Sequence, residues 1–306
     1  MCFSADRTLH ERSRVQIPMK EGILMNSKPR VVLMTDFGSD NMGTAAMEGI
    51  ISSIDNEIIC TNLTHKISPF NTWQASGALM YVVPFWPTGT VFVSVVDPGV
   101  GTRRRASVAK LKNGCYVVTP DNGTLTHMYY KVGIEAIREI DENVNRLKGT
   151  EGTSIFHGRD LFAYCAGKLA AGVIDFEGVG PEYPVSEIIL HETLFNPDVQ
   201  PGCAEGVVTE AMPHFGNLNT NIPIDAFNEA GFTLGDMVHV AISHEGKTHF
   251  DQNVLYEKSF GFVSEGEPIV FNGSMMYVGI ALNQGHFTNT YAIGDGESWK
   301  VRITKA

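Results

Sequence analysis

The stretch Val31–Gly38, VVLMTDFG, decides how the first half of this chain is read. A short unbroken apolar run stops at Thr35-Asp36 and turns on Gly38. A strand buried on both faces of a parallel sheet does this when it reaches its carboxyl end. The residues that follow, GTAAMEGIISSI (43–54), have helical spacing, and EIICTNLTH (57–65) is the next strand. The pattern then repeats: TWQASGALMYVVPFW (72–86) is a helix with a Pro-limited end, and TVFVSVVDPG (90–99) is a strand running into a loop. CYVVTPDNG (115–123) is another such strand, and TSIFHGRDLFAYCAGKLAAG (153–172) is a loop entering a helix. Alternation of this kind predicts βαβ units and an α/β domain on a mainly parallel sheet, residues 31–190.

Beyond residue 190 the composition changes. HETLFNPDVQPGC (191–203) reads as a linker, and then apolar alternation takes over in EGVVTEAM, DMVHVAIS, EPIVFNGSMMYVGIAL and SWKVRIT. Turn residues separate these runs, so residues 204–306 are expected to form an all-β domain, sandwich or barrel. The first 30 residues hold six Lys/Arg against three Asp/Glu and lack the apolar core of a secretion signal. They are expected to be a flexible extension.

The formal net charge is −11, and residues 31–306 alone carry 17 Lys/Arg against 31 Asp/Glu. An acidic chain lacks the basic face that nucleic-acid binding needs, although a local arginine cluster can still hold one small anion. No run approaches the roughly 18 unbroken apolar residues of a membrane span. The five cysteines show no CxxC and no metal-type cluster, which points to a reducing compartment, the cytoplasm, and to no bound metal.

Three strands are expected to end in an acid followed closely by glycine: Asp36 in TDFG, Asp97 in DPGVG and Asp121 in PDNG. In an open α/β sheet the carboxyl ends share the edge where ligands bind. The first loop carries no G-x-G-x-x-G and no G-x-x-x-x-G-K. Asp36 therefore either accepts the two hydroxyls of a ribose or caps the following helix. His157 in FHGRD lies just before a helix and faces the same edge. After Asp97 the chain turns through Pro98, Gly99 and Gly101 to Arg103-Arg104-Arg105. On an extended chain neighbours alternate sides, so Arg104 points away from Arg103 and Arg105. Either all three are solvated, or the turn folds back and Arg104 reaches Asp97.

TDFG, VVDPGVGT-x-R, PDNG, FHGRD and FGN-x-x-TNI, in this order between residues 31 and 222, together resemble the S-adenosylmethionine hydroxide adenosyltransferases. That family is itself similar to the fluorinating and chlorinating enzymes that attack the same substrate. The resemblance implies a Rossmann-like α/β N-terminal domain, a β-barrel C-terminal domain and a homotrimer with sites at subunit interfaces. It implies an Asp97, Arg104 and His157 triad that activates water, an acid and histidine the halide-using relatives lack. Asp36 is then expected on the ribose hydroxyls, Phe70, Phe156 and Gly158 around the adenosyl group, and Asn217 reaching it from the C-terminal domain. Backbone groups of Tyr291 and Ala292 fall where the adenine edge is met. The implied reaction is displacement at the 5′ carbon of S-adenosyl-L-methionine, giving adenosine and methionine with no metal or redox cofactor.

The C-terminal half departs from that pattern. EAMPHFGN puts Met212 where the family carries an acid suited to the substrate's ammonium, with Glu210 two residues earlier, and Gln284 follows Asn283 in place of a serine. The methionine end of the substrate is thereby in question. The alternatives are the same chemistry on another 5′-activated adenosine, or a non-catalytic adenosine-binding protein.

Overall fold

The structure is a computed structural model that describes residues 28–212 and 214–306. The expected N-terminal extension lies outside the described residues up to residue 27. The chain divides after Leu190 into two compact units.

The first unit is built on seven strands: β1 (Arg30–Thr35), β2 (Ile59–Thr64), β3 (Val91–Val95), β4 (Ala106–Leu111), β5 (Tyr116–Pro120), β6 (Ile134–Glu139) and β7 (Glu182–Tyr183). Their order across the sheet is β2-β1-β3-β5-β4-β6-β7. The pairs β1–β2, β1–β3 and β3–β5 are parallel, whereas β4–β5, β4–β6 and β6–β7 are antiparallel. The expectation of a mainly parallel sheet is corrected: the sheet is mixed. The physical reason is connection length. A parallel return needs a crossover of a dozen residues or more, and only Lys112, Asn113, Gly114 and Cys115 separate β4 from β5.

Alternate residues of β1 enter opposite layers. Val31 and Leu33 pack with Met47, Ile51 and Phe162, while Val32 and Met34 pack with Ala75, Leu79 and Phe92. The first layer includes the helix Met42–Ile54, whose N-terminus is capped by the Asn41 side chain accepting from Gly43 N–H. The second includes the helix Thr72–Val82, capped by Asn71 in the same way. A π-helical segment, Gly158–Ala163, runs directly into the α-helix Tyr164–Ala170 and completes the first layer.

In the second unit, β9 (Cys203–Ala211), β10 (Leu218–Pro223), β11 (Met237–His244), β12 (Lys247–Tyr256), β13 (Pro268–Asn272), β14 (Tyr277–Leu282) and β15 (Gly296–Lys305) run in the order β10-β14-β13-β12-β11-β15-β9. β10 also pairs with β9, which closes a seven-stranded barrel. Only β12–β13 is parallel. Residues 191–203, read from sequence as a linker, carry a helical turn, Glu192–Phe195, and a short strand, β8 (Asp198–Gln200), paired with the start of β9. The alternation seen in the sequence fills the barrel: Val238, Val240 and Ile242 point inward with Ala204, Val208, Val301 and Ile303. Phe227 closes the packing, stacked on Phe232 at 4.0 Å and edge-on to Tyr256 at 5.1 Å.

Phe227 is fully buried, so truncating it removes both the transfer energy of its ring and those two ring contacts. Phe227→Ala should cost about 3–5 kcal/mol, as large-to-small core changes do. Chemical denaturation followed by circular dichroism measures this, and a loss below about 1 kcal/mol would contradict the packing described.

Candidate active site

Asp97 lies just beyond the end of β3, and Arg104 just before the start of β4. Because β4 is antiparallel to β5, its first residue, Ala106, pairs with Pro120 at the end of β5. The start of β4 and the ends of β3 and β5 therefore share one edge. The turn between them is tight. Val100 N–H donates to the Asp97 carbonyl at 3.3 Å, and Thr102 donates to the Gly99 carbonyl through its N–H at 3.1 Å and its hydroxyl at 2.6 Å. Gly101 has φ +74°, and a Cβ there would stand 3.0 Å from the Ser154 carbonyl oxygen, so only glycine fits without strain.

This turn folds Arg104 back onto Asp97. Nε donates to Oδ1 at 3.0 Å and to Oδ2 at 3.1 Å, and Nη2 donates to Oδ2 at 2.6 Å. The two side chains are only 9% and 5% exposed, so the pair is withdrawn from water. The other arginines go elsewhere. Arg103 is exposed, while Arg105 pairs with Glu187 at 2.7 Å and lies over the Tyr183 ring.

Arg104 Nη2 also lies 2.9 Å from His157 Nδ1. A guanidinium only donates, so Nδ1 must accept and the neutral ring carries its proton on Nε2. That Nε2 is buried and meets no hydrogen-bond partner among the described residues. Burial, followed by the positive charge of Arg104, holds His157 below its ordinary pKa. The result is a neutral imidazole with a fixed, buried N–H donor.

Asp36 does not cap the helix after it, because Asn41 does so. Asp36 Oδ2 instead accepts Phe70 N–H at 2.9 Å. Phe70 has φ +67°, a left-handed conformation costly for a side chain of this size, and its ring is exposed. Phe156 is half-buried, with its ring 6.0 Å from Phe37. A Cβ on Gly43 would stand 2.9 Å from the Phe156 ring, and one on Gly158 would press on both Phe156 and Phe37 at 3.3 Å. Both glycines therefore let the ring lie against backbone. Phe37 lies inside the TDFG motif but carries no polar handle that would have singled it out. Arg159 pairs with Asp160 at 2.6 Å and lies over Phe156.

The third acid of the expected trio turns away. Asp121 is buried, accepting Ile189 N–H at 2.9 Å and the Tyr183 hydroxyl at 3.2 Å, and burial pushes its carboxyl upward. It ties down the end of the first unit.

The remaining expected residues belong to the second unit. Asn217 follows Gly216, whose φ of +70° and contact with the His286 ring leave no room for a side chain, and its carbonyl accepts Met212 N–H at 2.8 Å. The Tyr291 carbonyl accepts from His249 Nδ1 at 3.1 Å, and the Tyr291 ring packs on Phe250 and Phe287. Ala292 is exposed with φ +50°. Asn283 donates its amide to the Val263 carbonyl at 2.8 Å, and Glu210 accepts from Asn219 at 2.9 Å. Among the described residues no group of three or more His, Cys, Asp or Glu side chains could hold a metal ion, and no helix is long and apolar enough to cross a membrane.

A turn-built Asp–Arg pair, a neutral histidine and a strand-end acid on a mixed α/β sheet, followed by a closed barrel, describe a two-domain protein equipped to bind and activate a small molecule. The sequence profiles of the N-terminal and C-terminal domains of the SAM hydroxide adenosyltransferases match residues 31–180 and 212–300, so the chain belongs to this family. It is 33% identical over 221 residues to the (R)-S-adenosyl-L-methionine hydrolase of Methanocaldococcus jannaschii, covering 70% of this chain and 74% of that protein. It is 31% identical over 283 residues to the enzyme of the same name from Thermus thermophilus, covering 89% and 98%. The fluorinase of Actinopolyspora mzabensis is 26% identical, covering 92% and 98%. The crystal structure of an uncharacterized conserved protein from Thermotoga maritima superposes with a TM-score of 0.79 at 32% identity, covering 90% of this chain and all of that one.

The depressed pKa of His157 has a consequence for stability. The unfolded chain takes up its proton near pH 6.5, before the folded protein does, so lowering the pH through that value favours unfolding. His157→Gln removes this contribution. The melting-temperature gap between wild type and His157→Gln should therefore narrow as pH falls from 8 to about 5. His65 and His191, also held low by burial, are common to both proteins and cancel in the difference. Parallel melting curves across that range would overturn the assignment of a neutral His157.

Proposed function

We propose that this protein hydrolyses S-adenosyl-L-methionine to adenosine and L-methionine, with water attacking the ribose 5′ carbon in line with the departing sulfur. Membership of the family and the relatives named (R)-S-adenosyl-L-methionine hydrolase support the substrate. The observation that carries the reaction type is the buried Nε2–H of His157, which meets no partner among the described residues, beside the Asp97–Arg104 pair. A halide ion has no proton to lose, so a carboxylate next to a fixed donor serves water and not a halide.

The carbon–oxygen bond forms as the carbon–sulfur bond breaks, methionine leaves as a neutral thioether, and one proton is released. The sulfonium is already an activated leaving group, so the scheme requires no metal or redox cofactor. Prior deprotonation of water by His157 is unworkable. The pKa gap of about 9 units corresponds to roughly 12 kcal/mol, and Nε2 already carries its proton. His157 instead holds the oxygen of the water by donation and steadies its hydroxide character as the proton leaves. Arg104 fixes the tautomer that makes this possible. Asp97, whose carboxylate has lone pairs left over, accepts the proton as attack proceeds. Holding the water in line with the departing sulfur prepays the orientational entropy of attack and so lowers the barrier further.

In this reading Asp36 binds the ribose hydroxyls, and Phe70, Phe156 and Gly158 line the adenosyl pocket. Asn217, Tyr291 and Ala292 meet the adenosyl group from the C-terminal domain of a neighbouring subunit in a cytoplasmic homotrimer. Residues 31–190 and 204–306 are the two domains. A second reading, the same displacement on another 5′-activated adenosine, is favoured by Asn283 and Glu210. Both are engaged within their own unit, at Val263 and Asn219, at the end where methionine would lie.

Incubation with S-adenosyl-L-methionine in ¹⁸O-water, followed by mass analysis, tests the proposal. Adenosine carrying ¹⁸O at the 5′ oxygen, together with methionine, is expected, whereas unlabelled adenosine or intact substrate overturns it. Asp97→Asn should lower kcat by about 10²–10⁴-fold, the usual worth of a general base. His157→Gln keeps an acceptor for Arg104 and a donor for water, and should lose distinctly less. Equal losses would remove the donor role given to His157.

A further inference from the structure

His65, which has no part in the chemistry above, sits where the loops after β1 and β2 are sewn together. Its backbone carbonyl accepts Gly38 N–H at 2.7 Å, and its Nδ1 lies 2.9 Å from the Thr35 hydroxyl. Its Nε2 lies 2.8 Å from Asn62 Oδ1. Asn62 in turn donates its amide to Glu48 Oε1 at 2.6 Å, on the helix Met42–Ile54.

The proton directions in this chain are determined by its two ends. Ionised Glu48 only accepts, so Asn62 presents Nδ2 to it and leaves Oδ1 for His65. His65 must then donate from Nε2, and in the neutral ring Nδ1 accepts from the Thr35 hydroxyl. The Thr35 oxygen is thereby free to accept Phe37 N–H, which lies 3.2 Å away. Every donor meets an acceptor in one sense only. Burial keeps His65 below its ordinary pKa, which favours this neutral form.

The two residues straddled by these contacts, Thr35 and Phe37, flank Asp36. The loop that His65 opens also ends in Phe70, whose left-handed backbone aims its N–H at Asp36 Oδ2. That conformation persists only if its surroundings over-determine it. We propose that His65 is a positioning residue for Asp36: it locks the loops after β1 and β2 together, so that Phe70 N–H holds one carboxylate oxygen and the other is presented to the vicinal hydroxyls of a ribose. This rests on the reading of Asp36 as the ribose-binding acid.

A group that only orients Asp36 contributes equally to substrate and transition state, because the ribose hydroxyls do not react. Its loss therefore raises KM and leaves kcat in place. With full-length protein, His65→Ala should weaken adenosine binding, measured by calorimetry, and raise KM for S-adenosyl-L-methionine, each by about tenfold, while kcat stays within about twofold. His65→Gln, with an acceptor and a donor at similar spacing, should recover most of the affinity. In an Asp36→Ala background, His65→Ala should change adenosine affinity by less than about twofold, since the residue acts through Asp36.

Unchanged adenosine affinity in folded His65→Ala overturns the proposal, as does a fall in kcat at constant KM. Additive losses in the double variant overturn it too. If His65→Ala does not fold, His65→Gln alone decides: wild-type-like affinity supports the proposal, and a loss as large as that of Asp36→Ala refutes it. A wild-type protein that binds adenosine but leaves S-adenosyl-L-methionine intact would refute the hydrolase reading alone, and the adenosine measurements would still judge His65.

Discussion

The buried contact between Arg104 and Asp97 makes demands on everything around it. Withdrawing two charges from water costs several kcal/mol per ion, repaid only when the geometry is close and the remaining hydrogen-bonding capacity is used. Here three N–H···O contacts join the pair, Nη2 reaches on to His157, and the guanidinium lies 5.2 Å from the Phe162 ring centroid. Such a pair needs a rigid frame, and the sheet supplies it. β3 delivers Asp97 to the carboxyl edge, and an antiparallel β4 must begin at that same edge, so Arg104 arrives there across a short turn. A parallel β4 would begin at the opposite edge. The mixed sheet is thus a condition for the site.

Much of this was legible in the residues, and the exceptions have physical causes. β1, β3 and β5 announce themselves as apolar runs ending in an acid near glycine, and β2 is legible from its place in the strand–helix alternation. β4 and β6 were not: the buried run ASVAKL is short and interrupted by Ser107 and Lys110, and IEAIRE mixes three charges with its apolar residues. Their absence from the reading is why the sheet was expected to be mainly parallel. The barrel strands were readable because one face is wet, which makes alternation visible. Among the arginines, alternation separated Arg104 from its neighbours, but only the folded turn shows Arg105 on Glu187. Asp121 shows the limit of counting acids at strand ends. A carboxylate satisfied by Ile189 and Tyr183 looks the same in sequence as one awaiting a ligand.

The electrostatics of the first unit concentrate on one contrast. Asp97 and Arg104 cancel and His157 is neutral, while Asp36 accepts a backbone N–H. The acidic excess of the whole chain attracts a cationic ligand at longer range, and that attraction weakens once the charge is lost on reaction.

Two histidines then share a principle. A neutral imidazole is an ambiguous group, able to carry its proton on either nitrogen, and a site that needs a donor at one place must remove the ambiguity. At His157 the guanidinium of Arg104 does so by occupying Nδ1; at His65 the Asn62 carbonyl does so by claiming the proton on Nε2. In both cases the partner is held in turn by a carboxylate, Asp97 or Glu48. Carboxylate, oriented intermediary and imidazole form the same three-part arrangement twice, one beyond the end of β3 and one between the loops after β1 and β2. Burial lowers the pKa of both rings, so both arrangements hold together over the pH range in which free histidine would begin to charge. The fold thereby obtains fixed donors and acceptors from side chains that in water would be switches.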